Sequence, residues 1–87
     1  MKEKQKKAVA LEYRKEDDRA PKVTAKGSGL VAEKIIALAR KHGVPVRGDR
    51  HLIEILSTLD LYEEIPEELY KAVAEVLVFI YKMSEKL

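Results

Sequence analysis

The stretch PKVTAKGSGLVAEKIIALARKHGVPVR, residues 21–47, decides the fold. Lys22-Val23-Thr24-Ala25-Lys26 alternates polar and apolar side chains, so it reads as a short half-buried strand with Val23 and Ala25 on one face. Gly27-Ser28-Gly29 breaks that pattern, and Ser28 stands where an N-cap belongs. From Leu30 the period changes. Leu30, Val31, Lys34, Ile35, Leu38 and Ala39 recur at steps of three and four, while Glu33, Ala37, Arg40 and Lys41 turn away, as in an amphipathic helix. Arg40, Lys41 and His42 place positive charge at the negative end of the helix dipole. Gly43 follows as a left-handed C′ residue, Pro45 forbids continuation, and Val44-Pro45-Val46 starts a second short strand. Strand, helix of about three turns and strand make a βαβ unit with a right-handed crossover.

The flanking segments are expected to pack on that unit. Ala8-Val9-Ala10-Leu11-Glu12-Tyr13 reads as a strand, with Val9, Leu11 and Tyr13 on one face and Ala8 and Ala10 on the other. Residues 14–19 form a charged, exposed loop that joins it to the next strand, most simply antiparallel. Asp49 caps a second helix whose buried side is Leu52, Ile53, Ile55, Leu56 and Leu59, and which ends near residues 60–62. Pro66, followed by Glu67 and Glu68, suits the start of a last helix reaching Ser84. Its stripe is Leu69, Val73, Val76, Ile80 and Met83, broadened by Leu77 and Tyr81, and residues 76–81 are apolar nearly all round. Leu38 and Leu77 are accordingly expected in the core. The expected class is α/β: a small mixed sheet of about three strands with a βαβ crossover, packed by three helices. Residues 1–7 read as a basic tail and residues 8–87 as the folded domain.

Composition narrows the function classes. Eighty-seven residues make one small domain. Charged residues reach 37%, against roughly 25% in ordinary soluble domains, yet the net charge is only +2, so no strong long-range field follows. The lack of cysteine rules out disulfides and thiolate metal sites. No apolar run has the length of a signal core or a membrane span, which points to the cytoplasm. The Lys26-Gly27-Ser28-Gly29 turn lacks the spaced glycines and Lys-Ser/Thr ending of a phosphate loop. Asp17 and Asp18 have no further ligand at metal spacing. His42 and His51 have no acid or serine arranged as catalytic company. No catalytic, cofactor-binding or metal residue is therefore nominated. Lys2, Lys4, Lys6 and Lys7 suit an arm for nucleic acid or acidic lipid, but nothing aromatic is interleaved for stacking, so a solvated tail is the reading adopted.

Four blocks of residues reach further than composition does. They are Ala8-Val9-Ala10-Leu11-Glu12-Tyr13, then Ala20-Pro21-Lys22-Val23-Thr24-Ala25-Lys26-Gly27, then Ala39-Arg40-Lys41-His42-Gly43-Val44-Pro45-Val46, then the run from Glu64-Ile65-Pro66-Glu67-Glu68-Leu69-Tyr70 to Leu77. In that order and at that spacing they resemble the cytoplasmic C-terminal domain of the FlhB export proteins and their YscU, EscU and SpaS relatives, over residues 8–82. The resemblance implies a non-enzymatic role in flagellar (type III) protein export and in switching its substrate class. It implies partners in the export apparatus: the FlhB membrane part, the export gate, ruler proteins or export substrates. It implies no cofactor, no nucleic acid, no membrane insertion, and a place in the cytoplasm, peripheral at the gate. A small basic nucleic-acid-binding module is the alternative that charge alone supports.

Family members cut themselves at an Asn-Pro-Thr-His motif just before the Ala-Val-Ala-Leu strand. Glu3-Lys4-Gln5-Lys6 stands in that place here, and Glu3 lacks the amide nitrogen that acts as nucleophile, so no self-cleavage is expected. The family's preceding strand has no counterpart, which reads as a small stand-alone relative. Ala8, Val9, Ala10, Leu11, Glu12 and Tyr13 are then expected to offer an edge to a partner strand, unless the basic tail or a neighbouring copy covers it.

Overall fold

The computed structural model of the chain describes residues 6–14 and 16–76. Its elements are β1 (Lys7–Glu12), β2 (Lys22–Ser28), α1 (Leu30–Lys41) and α2 (Arg50–Leu56). A 3₁₀ turn (Glu67–Leu69) then leads into α3, described over residues 70–76. β1 and β2 pair antiparallel, from Lys7 opposite Ser28 to Glu12 opposite Lys22. The charged connector closes as expected. The Arg14 carbonyl accepts from the N–H groups of Asp17 and Asp18 at 3.1 and 2.8 Å, and the Asp18 carboxylate accepts from the Arg14 N–H at 2.9 Å.

The register shifts between Ala10 and Leu11: Ala10 faces Ala25, but Leu11 faces Val23, so Thr24 is an extra residue in β2. Such a bulge re-aims the side chains that follow it. Val23 and Ala25, expected on one face, therefore lie on opposite faces. The Val9, Leu11 and Val23 face looks onto α2, α3 and the segment between them, where Leu52, Leu56, Leu59, Ile65, Leu69 and Val73 close the core. The Ala8, Ala10, Ala25 and Gly27 face carries α1, with Ala32 wholly buried. There the backbones come close: a Cβ on Gly27 would run into Cγ1 of Val31 and lie 2.8 Å from its Cβ. The result is an α/β sandwich of α1, sheet, and α2 with α3.

Both caps of the intervening loop act as the sequence suggests. Val44 N–H donates to the Ala39 carbonyl at 2.7 Å and Gly43 N–H to the Arg40 carbonyl at 3.2 Å, with Gly43 at φ 71°. This paired closure satisfies the last carbonyls of α1. Asp49 accepts from the Leu52 N–H at 2.9 Å and caps α2.

Several expectations are corrected. Val44-Pro45-Val46 forms no strand, so no βαβ crossover exists among the described residues. Pro45 has no N–H for a ladder, and the far edge of β2 is already taken. Val23 N–H donates to Glu63, Tyr62 N–H to the Val23 carbonyl (2.6 Å) and Ile65 N–H to Pro21 (2.9 Å), with Lys22 and Glu64 bridged antiparallel. Residues 62–65, after α2, supply the third line of the sheet. The N-cap of α1 is Gly29, at φ 59°, rather than Ser28, which ends β2. The inner face of α1 is Ala32 with Ile35, Ile36 and Ala39 half-buried. Leu38 is 55% exposed and Leu30 77% exposed, so neither belongs to the core. Ala32 sits over the small residues of the sheet with Ile35 and Ile36 on its flanks, and Leu30 and Leu38 turn outward. Ile55 is likewise exposed, and α2 stops at Leu56. Pro66 precedes a 3₁₀ turn before the last helix begins. Leu77, Ile80, Tyr81 and Met83, and residues 1–5 of the tail with most of the replaced cleavage motif, lie outside the described residues.

Candidate functional site

One long edge of the sheet belongs to β1. Gly29 N–H donates to the Lys6 carbonyl at 2.8 Å, which sets the phase of the ladder. Bonded and non-bonded positions alternate in an antiparallel pair, so Ala8 and Ala10 turn their main-chain groups toward β2, and Lys7, Val9 and Leu11 turn theirs outward. Val23 agrees with that phase. It lies opposite Leu11, and its own N–H and carbonyl are bonded on the far side, to residues 62 and 63. Among the described residues no backbone group bonds to the outward row of β1. The Lys7 ammonium reaches the Glu54 carboxylate at 2.8 Å and ties the start of the edge to α2. Lys26, across the ladder from Val9, donates to the Leu59 carbonyl at 2.7 Å and ties β2 to the turn after α2. The edge is thereby held on a fixed scaffold.

At the end of this edge lies an apolar recess of about 190 Å³, lined by Tyr13, Ala20, Pro21, Ile65, Tyr70, Val73 and Ala74, with Arg19 at its border. It forms where the end of β1, the start of β2 and α3 converge. Of the six residues expected at the edge, Val9 and Leu11 present outward main-chain groups, Ala8 and Ala10 bond inward, Glu12 pairs with Arg14 (3.0 Å), and Tyr13 lines the recess. The recess itself escapes a reading of the sequence because its parts are far apart in the chain. No local signal marks it, since its two aromatic lining residues, Tyr13 and Tyr70, lie far apart in the sequence.

The remaining candidates fall apart in space. His42 is the C-cap of α1 and His51 an exposed residue in the first turn of α2. Asp17 stays exposed, while Asp18 organises the β1–β2 connector. The Arg14 N–H holds the Asp18 carboxyl below its ordinary range, and the nearby Lys22 ammonium, 3.4 Å away, adds to that against the opposing effect of burial. Among the described residues no three His, Asp or Glu side chains gather as metal ligands. No described helix is long and apolar enough to cross a membrane.

Residues 5–80 match the family described as the FlhB HrpN YscU SpaS family. The chain belongs to that family. YlqH of Bacillus subtilis is 51% identical over 79 residues, which cover 91% of this chain and 85% of that protein. The flagellar biosynthetic protein FlhB of Aquifex aeolicus is 38% identical over 80 residues, covering 91% of this chain but 23% of that protein. The chain thus spans most of YlqH and under a quarter of FlhB. The fold agrees as well. The PscU C-terminal domain superposes with a TM-score of 0.79 at 30% identity, covering 84% of this chain and 94% of that domain. A mutated EscU/SpaS C-terminal domain superposes at 0.84 with 26% identity, covering 87% and 95%. The ordered residue blocks therefore carry the FlhB-type C-terminal fold, and the family is one of flagellar biosynthesis and type III protein export.

Proposed function

We propose that this chain is a non-enzymatic, protein-binding component of flagellar (type III) export. It works in the cytoplasm, peripherally at the export gate, and takes part in switching substrate class. The family match over residues 5–80 is the observation that carries this reading. The geometry supplies a means of binding. The outward N–H and C=O groups of Val9 and Leu11 accept an extended partner segment as an added strand, with main-chain bonds giving affinity. The strand edge spans Ala8, Val9, Ala10, Leu11, Glu12 and Tyr13, and an apolar side chain of the same segment enters the recess beside Tyr13 and Pro21. An FlhB polypeptide that offers the strand preceding its cleavage motif is the partner this edge suits.

The test is genetic and quantitative. The chain is expressed in cells whose FlhB ends just after the strand that precedes its cleavage motif, and hook-class and filament-class proteins are measured in the medium. Export of either class should rise, or their ratio should shift. No change in amount or ratio, with the chain present and soluble, contradicts the reading.

A further inference from the structure

Among the described residues, the large apolar side chains that are more than half exposed fall on two separate parts of the molecule. On α1 and its exit, Val31, Leu38 and Val44 are each more than half exposed, and Lys34 and Lys41 lie on the same side of the helix as Val31 and Leu38. Val31, Lys34, Leu38 and Lys41 follow one another at helical steps of three and four, so they share one face. On the turn after α2, Leu61 and Tyr62 protrude beside Asp60 and Glu63, and the Tyr62 side is 72% exposed. Charge is sorted between the two: Lys34 and Lys41 lie on the α1 face, whereas Asp60 and Glu63 flank the Leu61-Tyr62 turn. Opposite patches of this kind attract and set register.

Tyr62 adds an independent observation. Its φ is 67°, and among the described residues it is the one non-glycine with positive φ. Glycine or asparagine holds this conformation at lower cost than a bulky residue. The Tyr62 N–H bond to Val23 needs no side chain, and the ring is not in the core. A strained backbone that holds an aromatic ring out to solvent is a mark of contact sites.

We propose that this chain binds a second copy of itself, with the Leu61-Tyr62 turn of one molecule seated on the basic apolar face of α1 in the next. The two surfaces share no residue, so every molecule has one of each to offer, and a head-to-tail contact of this kind continues from copy to copy. This inference does not depend on the export role.

Sedimentation velocity on the full chain, from micromolar to millimolar, tests it at low and high salt. The sedimentation coefficient should rise with concentration and the rise should weaken with salt. Tyr62→Gly relieves the backbone, so its thermal midpoint should go up while association falls at least about tenfold. Leu38→Glu should stay folded, because Leu38 is exposed, and should lose association to the same degree. The decisive sample is a mixture of the two variants. Tyr62→Gly keeps the α1 face and Leu38→Glu keeps the turn, so together they should form a one-to-one dimer and nothing larger. A wild-type chain that stays monomeric at every concentration overturns the proposal, as does association that both variants leave intact, or a mixture without dimer. Binding of a monomeric wild-type chain to phosphatidylserine vesicles, lost in Leu38→Glu, would also overturn it and assign the α1 face to an anionic membrane surface.

Discussion

The two faces of the β1–β2 sheet are covered in opposite ways. Toward α2 and α3 the sheet offers Val9, Leu11 and Val23, and large aliphatic residues meet large ones. Toward α1 it offers Ala8, Ala10, Ala25 and Gly27, and the helix answers with Ala32. Large residues fill volume on the first face, whereas the second gains close backbone approach. The helix meets these small residues through Ala32, with Ile35 and Ile36 half-buried on its flanks, and leaves Leu30 and Leu38 to solvent. Size alone is thus a poor guide to which side of an amphipathic helix faces the core when the sheet beneath it is small.

Removing volume from each face breaks or upholds this contrast most strongly. Leu56→Ala, at a residue only 4% exposed, should cost about 2–5 kcal/mol in urea unfolding. Leu38→Ala should change stability by less than about 0.5 kcal/mol. Comparable losses at both positions would show that α1 buries the face assigned here to solvent.

Adding volume sharpens it. Gly27→Ala places a methyl group against Val31, an overpacking that should cost about 1–3 kcal/mol. Val31 is more than half exposed, so Val31→Ala alone should cost little, and the double variant should recover only part of the loss, because the Cβ of residue 31 stays 2.8 Å from the added methyl group. Strict additivity of the two changes would mean that close approach of α1 is not what Gly27 permits.

Much of the architecture is legible in the chain because its signals are local. Asp49 three residues before Leu52 is a cap whatever surrounds it, and Gly43 followed by Val44 closes α1 through bonds within six residues. What misleads is long-range. Val44-Pro45-Val46 has the composition of a strand, but a strand needs an edge, and the far edge of β2 is occupied by residues 62–65. The bulge at Thr24 leaves no compositional trace, yet it decides that Val23 joins the core and Ala25 does not. That β1 is a strand follows from alternation along it. The recess beside Tyr13 is not legible in this way, since it assembles residues 13, 19–21, 65, 70, 73 and 74 from separate segments.

Smaller effects test the scaffold that holds both faces. Asp49→Ala should cost about 1 kcal/mol through loss of the α2 cap, read as a lower urea midpoint with an unchanged slope. Asp18 sets a pH signature. Its carboxyl is held below 3.8 by the Arg14 N–H and then by Lys22. A group depressed in the folded state contributes stability above its unfolded pKa, and that contribution is lost as the pH falls through the lower folded value. The gap in stability between wild type and Asp18→Asn should be widest near neutrality and close in acid. A gap that stays constant with pH would remove Asp18 ionisation from the account.

The central claim is that β1 carries an open edge able to take a partner strand. Amide hydrogen exchange, followed residue by residue with and without a peptide carrying the FlhB strand that precedes the cleavage motif, tests it most directly. Exchange should slow at Lys7, Val9 and Leu11, whose N–H groups point outward, with little change at Ala8 and Ala10, which already bond to β2. Unchanged exchange at Val9 and Leu11 with peptide in excess, or equal slowing at all five residues, would contradict strand addition at this edge.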